Sequence, residues 1–514
     1  MKLFLTKEEY FMLATLLLAW YDGHKRVLPF RGTKDPYRIW LSEIMLQQTR
    51  TETVGAYYER FLSLFPDVFA LARAEEQAVL KAWEGLGYYS RARNLHKAAK
   101  VIAEDYQGIF PADLDLLRAL PGVGDYTAAA VASIAFDLPA PAMDGNLTRV
   151  LSRVHGIRQD VGMPSVKREL LSLGQQDMPH QRCGDFNQAL MDLGAMICTP
   201  GTPDCEKCPL RPLCNACAAG DAEDLPVKAA AKAPKEIKTG IAIVTCGART
   251  LLMQRKEALL NGLWVFPMTE EGDTRADVEK RLKSLGIRAR FRQKMGEARH
   301  VFTHRIWQMQ VYHYIADEPQ SREGQWADLK MIDALPLPTA VRAARAWACD
   351  LLTPRIAPAQ KEELPALSAV YAASWQDSHQ KHCSPAFVAE HTPLHMEMIL
   401  RGHLDTGKTV HAIRCAGEIA GVTVLSPEKN ELVSLYIHPL YQDGGLGKAA
   451  VAYAVNTLDE RRDMRVTLLC DNEKARHIYS QAGFTHVQTI RVLNPDRDIR
   501  EEDRIRKAKE EKTQ

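Results

Sequence analysis

Residues Leu120–Arg149 read LPGVGDYTAAAVASIAFDLPAPAMDGNLTR. They open with a Leu-Pro-Gly-Val-Gly turn at Leu120–Gly124, which feeds a helix of small residues from Thr127 to Phe136. Gly122 and Gly124 let a second backbone or a phosphate come close, and the helix start beyond them offers N–H groups without helical partners. Such a turn also occurs wherever two helices meet sharply. After the breaker Asp137-Leu138-Pro139-Ala140-Pro141 a single acid, Asp144, stands ahead of a new helix. Its simplest role is an N-cap, and a cap can also be catalytic.

The chain around this stretch has 514 residues, enough for several domains that each bury a core. Lys and Arg number 66 against 64 Asp and Glu, so any basic surface for a nucleic acid must be local. The apolar run Leu13–Trp20 is too short to span a bilayer. The start, MKLFLTKEEYFMLATLLLAWYDGH, has acids before that run and no small-residue cleavage site, so it reads as an amphipathic helix rather than a signal peptide. The expected setting is the cytoplasm, nucleoid-associated in a bacterium, with no membrane partner and a monomeric chain.

Residues 7–217 are expected to be helical, with apolar spacing through Pro36–Gln48, Thr51–Phe65, Gln77–Glu84, Ser90–Tyr106 and Cys183–Met196. Residues 218–239 turn to Ala, Lys, Asp and Pro, a linker composition. Short alternating segments follow (Ile241–Thr245, Thr250–Arg255, Arg305–Ile315), with one helix near Asp277–Leu285, as expected of an α+β domain over 240–352. A second linker is expected at 353–364, an α/β domain at 365–495 and a solvated charged tail at 496–514.

Four of the eleven cysteines, Cys198, Cys205, Cys208 and Cys214, are spaced C-x6-C-x2-C-x5-C in a loop rich in proline. Thiolates so crowded suit tetrahedral zinc or an iron–sulfur cube. These four contain a single C-x2-C knuckle, and the uneven spacing favours a 4Fe–4S cluster. Lys207 and Arg211 in the same loop are equally readable as phosphate contacts or plain surface charge. The other seven (Cys183, Cys217, Cys246, Cys349, Cys383, Cys415, Cys470) read as ordinary reduced thiols.

A Pro-Gly-x-Gly hairpin, an Asp one helix later and this cysteine loop, in that order, resemble the helix-hairpin-helix DNA glycosylases that carry an iron–sulfur cluster. Residues 28–60 (LPFRGTKDPYRIWLSEIMLQQTRTETVGAYYER) and Gly85–Ala99 (GLGYYSRARNLHKAA) are similar to the adenine-specific, MutY-type branch. The resemblance covers about the first 350 residues and implies removal of adenine mispaired with 8-oxoguanine or G in double-stranded DNA. Breaking an N-glycosidic bond needs a proton on the departing base and a negative charge facing the sugar cation. Glu43 lies among Ile39, Trp40, Ile44 and Leu46, surroundings that make a carboxyl hold its proton. By resemblance, Glu43 protonates adenine at N7 and prepares the attacking water. Asp144 stays ionised and stabilises the oxocarbenium ion, directly or as a short-lived adduct, with Tyr126 and Asn146 as supporting hydrogen-bond partners.

The resemblance also separates two branches. Endonuclease III-like lyases place a Schiff-base Lys two residues after the second hairpin glycine. Here that residue is Tyr126, and Thr148 stands where some relatives have a Lys, so a monofunctional glycosylase is expected. Gln48 and Tyr88 are the expected wedge residues when the nucleoside is flipped out, with Leu86 beside the opposite base and Gly122 and Gly124 at a phosphate. Arg31 and Arg26 are expected at the pocket or a phosphate. Gln188 stands where some relatives have Glu.

Asn261-Gly262-Leu263-Trp264-Val265-Phe266-Pro267 resembles part of a Nudix fold, but VEKRLKSLGI lacks the clustered acids that Nudix metal chemistry needs. A binding role follows, and by resemblance Phe302-Thr303-His304 reads 8-oxoguanine, with Thr for the family's Ser. Farther on, the strand LVSLYI (432–437) precedes Gln442-Asp443-Gly444-Gly445-Leu446-Gly447-Lys448, a loop whose N–H groups suit a pyrophosphate. With Asn472-x2-Ala475-x3-Tyr479-x3-Gly483-Phe484, the pattern resembles the GNAT acetyltransferases. The resemblance implies acetyl-CoA bound along Gln442, Gly445, Gly447, Lys448 and Asn472, an amine acceptor of unknown identity, Tyr479 protonating the leaving thiolate and Glu431 as base. A thymine-glycol lyase, and an acetyltransferase targeted to DNA by an inert glycosylase, are the competing readings.

Overall fold

In the computed structural model, which describes residues 7–229, 233–321, 323–494 and 496–509, the apolar spacing of the first part becomes helices at Lys7–His24, Pro36–Leu46, Thr51–Leu64, Ser90–Asp105 and Cys183–Met196. The chain forms two compact units, Met1–Ala233 and Pro234–Gln514. At the centre of the first lies the helix Asp125–Phe136. It packs against Pro36–Leu46, Leu114–Ala119 and Cys183–Met196, and its Ala128, Ala130 and Ala132 are fully buried. Small side chains permit that crowding: a Cβ added at Gly184 would lie 2.7 Å from the Ile134 Cα. The helix stops at Asp137 in the left-handed region, φ 57°. The Asp137 carboxylate then accepts from the N–H groups of Arg182 and Cys183 at 2.9 and 2.6 Å, capping the helix Cys183–Met196.

The second unit holds two sheets. In one, β1 (Lys235–Cys246) lies between β2 (Arg249–Gln254) and β5 (Arg305–Ile315). There β3 (Trp264–Val265) and β6 (Gly324–Ala327) pair with β2, and β4 (Arg290–Val301) pairs with β5. Only β1 and β5 run parallel, in register from Lys235/Arg305 to Thr245/Ile315. The other sheet has the order β12-β13-β11-β10-β9-β8-β7, built from β7 (Arg355–Pro358), β8 (Thr409–Cys415), β9 (Glu418–Ser426), β10 (Glu431–Ile437), β11 (Met464–Leu469), β12 (Thr485–Asn494) and β13 (Arg497–Arg506). Its parallel pair, β10 with β11, is joined only at Glu431/Arg465 and Leu432/Val466. A bulge after Leu432 turns β10 aside, and the strands part.

Three expected boundaries shift. Strand β1 begins at Lys235, inside the expected linker 218–239, of which 230–232 lie outside the described residues. Strand β7 lies inside the expected linker 353–364, pairing with β8. The expected tail 496–514 supplies β13, which pairs with both β11 and β12, while 510–514 lie outside the described residues. Among its charges Ile499, Glu502 and Arg504 are buried, and Arg504 Nη1 donates to Glu502 at 2.8 Å.

The two sheets also meet in one shared buried cluster, beside further clusters of their own. Ile241, Leu252, Phe266 and Val311 of the first, the helix Arg342–Leu352, and Ile413, Cys415, Tyr441 and Leu446 of the second form a single buried cluster. The β1–β2 turn abuts the loop after β10 so closely that a Cβ at Gly247 would lie 2.1 Å from the Leu440 carbonyl oxygen. Gly247 also has φ +59°, which disfavours any side chain. Gly247→Ala is therefore expected to destabilise the second unit by about 1–3 kcal/mol. In urea melts of the full chain both sheets should lose structure together; separate transitions for the two sheets would contradict the shared core.

Candidate active site

A cavity of about 530 Å³ opens in the first unit. The helix Pro36–Leu46 brings Glu43 to it, the helix Asp125–Phe136 brings Tyr126, and Asp144 and Asn146 come from the start of the helix Gly145–His155. Glu43 is 6 % exposed, and Tyr126 Oη donates to its Oε2 at 2.5 Å. Burial pushes the Glu43 carboxyl above its ordinary range, opposed by the Tyr126 hydrogen bond and the Arg31 charge and reinforced by Asp144. Asp144 is an N-cap, accepting from Leu147 N–H at 2.7 Å and Asn146 Nδ2 at 2.8 Å. Burial raises its proton affinity too, but those donors and the Arg149 charge pull the other way. Glu43 is thus buried and Asp144 half-buried, and Asp144 has the larger set of donors for its charged form.

The expected DNA-facing residues are partly redistributed. Arg31 lines the cavity, yet its Nη1 donates to the buried carboxylate of Asp192 at 2.5 Å, and Arg26 Nε donates to the same group at 2.6 Å. Both guanidiniums are thereby held on Asp192. Gln48 lines the cavity mouth with φ 56°, and Tyr88 has φ 48° and is 46 % exposed. Two non-glycine residues in the left-handed region, Gln48 at the cavity mouth and Tyr88 in its glycine-rich turn, fit strained, functional positions. Leu86 corrects its expectation: it is 6 % exposed, so it packs inward and leaves Tyr88 as the exposed side chain of that turn. Gly122 adopts φ +74° and abuts Asn94, whereas a Cβ at Gly124 would meet open space. The helix that Gly124 starts has no side-chain cap. Gln188 also lines the cavity.

Cys198, Cys205, Cys208 and Cys214 line a second cavity. Arg153, almost fully buried, donates to the Cys198 sulfur at 3.3 Å and to the Thr199 and Gly201 carbonyls. Among the described residues no three His, Cys, Asp or Glu side chains are grouped to hold a metal ion. Thiolates standing around a void fit an iron–sulfur cube, which fills the space between them with its own iron and sulfide. Burial and neighbouring sulfurs push the Cys208 thiol up to about 12 and Cys214 to about 11, so binding a cluster there releases protons. Lys207 and Arg211 pair with Asp204 and Glu206 at 2.8 and 2.5 Å, which favours their reading as surface charge.

In the second unit, Phe302 N–H donates to the Arg305 carbonyl and closes the β4–β5 turn. Its ring meets His300 and Trp307 edge-on at 4.5 and 4.9 Å, leaving Thr303 and His304 exposed at the tip. Below the parting of β10 and β11, Gly445 (φ +84°) starts the helix Leu446–Thr457 without a side-chain cap. Gln442 and Lys448 are exposed there, and a Cβ added at Gly447 would meet only Ile478, at 3.5 Å. Asn472 caps the helix Glu473–Gln481 through Ala475 N–H. Tyr479 is buried beside Phe484, and burial raises its phenol. Glu431 sits at the end of β10 that still pairs with β11, away from the wedge.

The helix-hairpin-helix base-excision repair family model matches residues 41–176, a Nudix domain model 240–346 and the GNAT acetyltransferase model 367–484. The adenine DNA glycosylase of Mus musculus is 36% identical over 361 residues, covering 59% of this chain and 70% of its own. That of Buchnera aphidicola subsp. Schizaphis graminum is 32% identical, covering 65% of this chain and 97% of its own. The chain belongs to the adenine DNA glycosylase family. A solved thermostable thymine-DNA glycosylase is also similar, at 31% identity and TM-score 0.37, covering 41% of this chain and 98% of its own.

Several residues of this adenine glycosylase family member escaped the sequence reading. Asp192 anchors both cavity arginines. Arg91 is buried and donates to the carbonyls of Ile44, Met45 and Gln47 and to those of Leu86 and Gly87, tying the Gln48 edge to the Tyr88 turn. Arg149 bridges Asn146 Oδ1 at 2.9 Å to the Cys198 carbonyl at 2.7 Å. The signal for Arg91 was an arginine inside an otherwise apolar helix face.

Burial of Glu43 carries a stability cost that tests its geometry. Its folded proton affinity is raised, so the folded state binds the proton more tightly and wild-type stability falls as pH climbs from the unfolded to the folded pKa. Glu43→Gln is expected to melt at a higher temperature than wild type at pH 8, with the difference shrinking as pH falls toward the ordinary value of 4.5. An unchanged difference across pH would contradict a buried, proton-holding Glu43.

Proposed function

We propose that the chain removes adenine paired with 8-oxoguanine or G in double-stranded DNA by hydrolysing its N-glycosidic bond. The observation that carries this is the pair of acids on one cavity, the buried Glu43 and the half-buried Asp144, with Tyr126 hydrogen-bonded to Glu43. Glu43, raised by burial, gives its proton to N7 as the bond to C1′ lengthens, and adenine leaves neutral. Asp144, capped by N–H donors, keeps its charge and faces the sugar cation. Water then adds to C1′, returning a proton to Glu43 and leaving an abasic site. Tyr126 has no amine for a Schiff base, so the strand stays intact.

Arg91 supports a rigid wedge of Gln48 and Tyr88 that fills the gap left by the flipped nucleoside. Phe302, Thr303 and His304 form the reader of 8-oxoguanine on residues 240–352. Cys198, Cys205, Cys208 and Cys214 hold a 4Fe–4S cluster, which braces their loop against the glycosylase residues 1–217. The third module extends through β13 and is an acetyl-CoA-dependent N-acetyltransferase with an unassigned amine acceptor. Gln442, Gly445, Gly447 and Lys448 hold the pyrophosphate at a helix start, Asn472 shapes the neighbouring turn, and the buried phenol of Tyr479 keeps its proton for the departing thiolate. The enzyme works where the DNA is.

Duplexes carrying A opposite 8-oxoguanine, A opposite G, or thymine glycol test the proposal. Free adenine is expected from the first two and no base from the third, with no strand cut before alkali. Glu43→Gln should lose about 10²–10⁴-fold in rate. The rate should fall at high pH as Glu43 loses its proton and at low pH as Asp144 gains one. Release of thymine glycol, cutting without alkali, or no adenine release would each overturn the proposal.

A further inference from the structure

Five thiols, not four, face the cysteine cavity. Cys217, on the short helix Asn215–Ala219, lines it together with Cys198, Cys205, Cys208 and Cys214. Its sulfur lies close enough to Cys205 and to the Arg211 guanidinium to act on the charge of both. The sequence contains the matching signal. Cys214-Asn215-Ala216-Cys217 is a second C-x2-C knuckle, with the spacing of Cys205-Glu206-Lys207-Cys208, that turns two sulfurs toward one centre. This corrects both the count of one knuckle and the reading of Cys217 as an ordinary thiol. Cys217 is half-buried, as are Cys205, Cys208 and Cys214, whereas Cys198 is buried.

We propose that Cys217 is a reserve ligand for the iron that Cys205 holds, an inference that rests on the iron–sulfur reading above. In the exchange, Cys217 releases its proton to solvent as its sulfur–iron bond forms. The Cys205 sulfur–iron bond breaks and that thiolate takes up a proton. No electron moves, and the cluster keeps four protein ligands throughout.

The test measures iron, acid-labile sulfide and the visible absorbance of the cluster in the full chain and in Cys205→Ser, Cys217→Ser, Cys205→Ser/Cys217→Ser and Cys208→Ser. Both single variants of the pair are expected to keep wild-type-like iron and sulfide, while the double variant and Cys208→Ser lose most of both. Iodoacetamide labelling mapped by mass spectrometry gives a second readout: Cys217 is alkylated in the loaded wild type and protected in Cys205→Ser. A loaded wild type beside an iron-poor Cys205→Ser, an iron-poor Cys217→Ser, or equal labelling of Cys217 in both proteins overturns the proposal alone. A wild type holding zinc without sulfide, or no metal, removes the iron–sulfur reading and this proposal with it.

Discussion

The hydrogen bond from Tyr126 to Glu43 sits at the point where burial and polarity compete. Taking an ionised carboxylate out of water costs several kcal/mol, and a hydrogen bond to a charged group returns about 1.5–3 kcal/mol. One phenol and a more distant Arg31, already shared with Asp192, leave that cost largely uncovered, so Glu43 favours its neutral form. Asp144 stands in the same cavity with a different inventory: a backbone N–H, an amide N–H, a helix start and the Arg149 charge. The helix start adds its partial positive charge to those donors. Two chemically similar acids are separated in role by what surrounds them.

That separation requires close packing. The helix that carries Tyr126 approaches its neighbours through alanines and a glycine contact, so its phenol reaches the helix that carries Glu43. The helix capped by Asp144 is the other fixed element. Arg149 and Arg153, four residues apart on it, run into the cysteine loop and hold the carbonyl and sulfur of Cys198. One helix therefore spans from the catalytic cavity to the cysteine cavity. Disorder in the loop would be felt at Asp144 through Asn146 and Arg149.

Local chemistry was the part most legible in the sequence. Glu43 was marked by its apolar neighbours, Asp144 by its place after a breaker, and the cysteines by crowding. Partners distant in sequence left no such trace: Arg26 and Asp192 stand 166 residues apart. Strand β13 was hidden because its buried positions carry Glu502 and Arg504, which satisfy one another and so break the apolar alternation that marks a strand. Leu86 was expected beside the opposite base by resemblance, and its inward packing depends on neighbours that the sequence does not mark. The shared core of the two sheets was likewise invisible, since the segment between them resembles a linker by composition and only pairing of β7 with β8 reveals its use.

The account stands on the order in which two carboxyl groups give up their protons. An isotope-edited infrared titration of the full chain, assigned with Glu43→Gln and Asp144→Asn, follows each group directly. Glu43 is expected to keep the carbonyl stretch of a protonated acid to a higher pH than Asp144 and above its ordinary value of 4.5. An Asp144 band that persists to higher pH than that of Glu43, or two bands that vanish together in the ordinary carboxylate range, would contradict it.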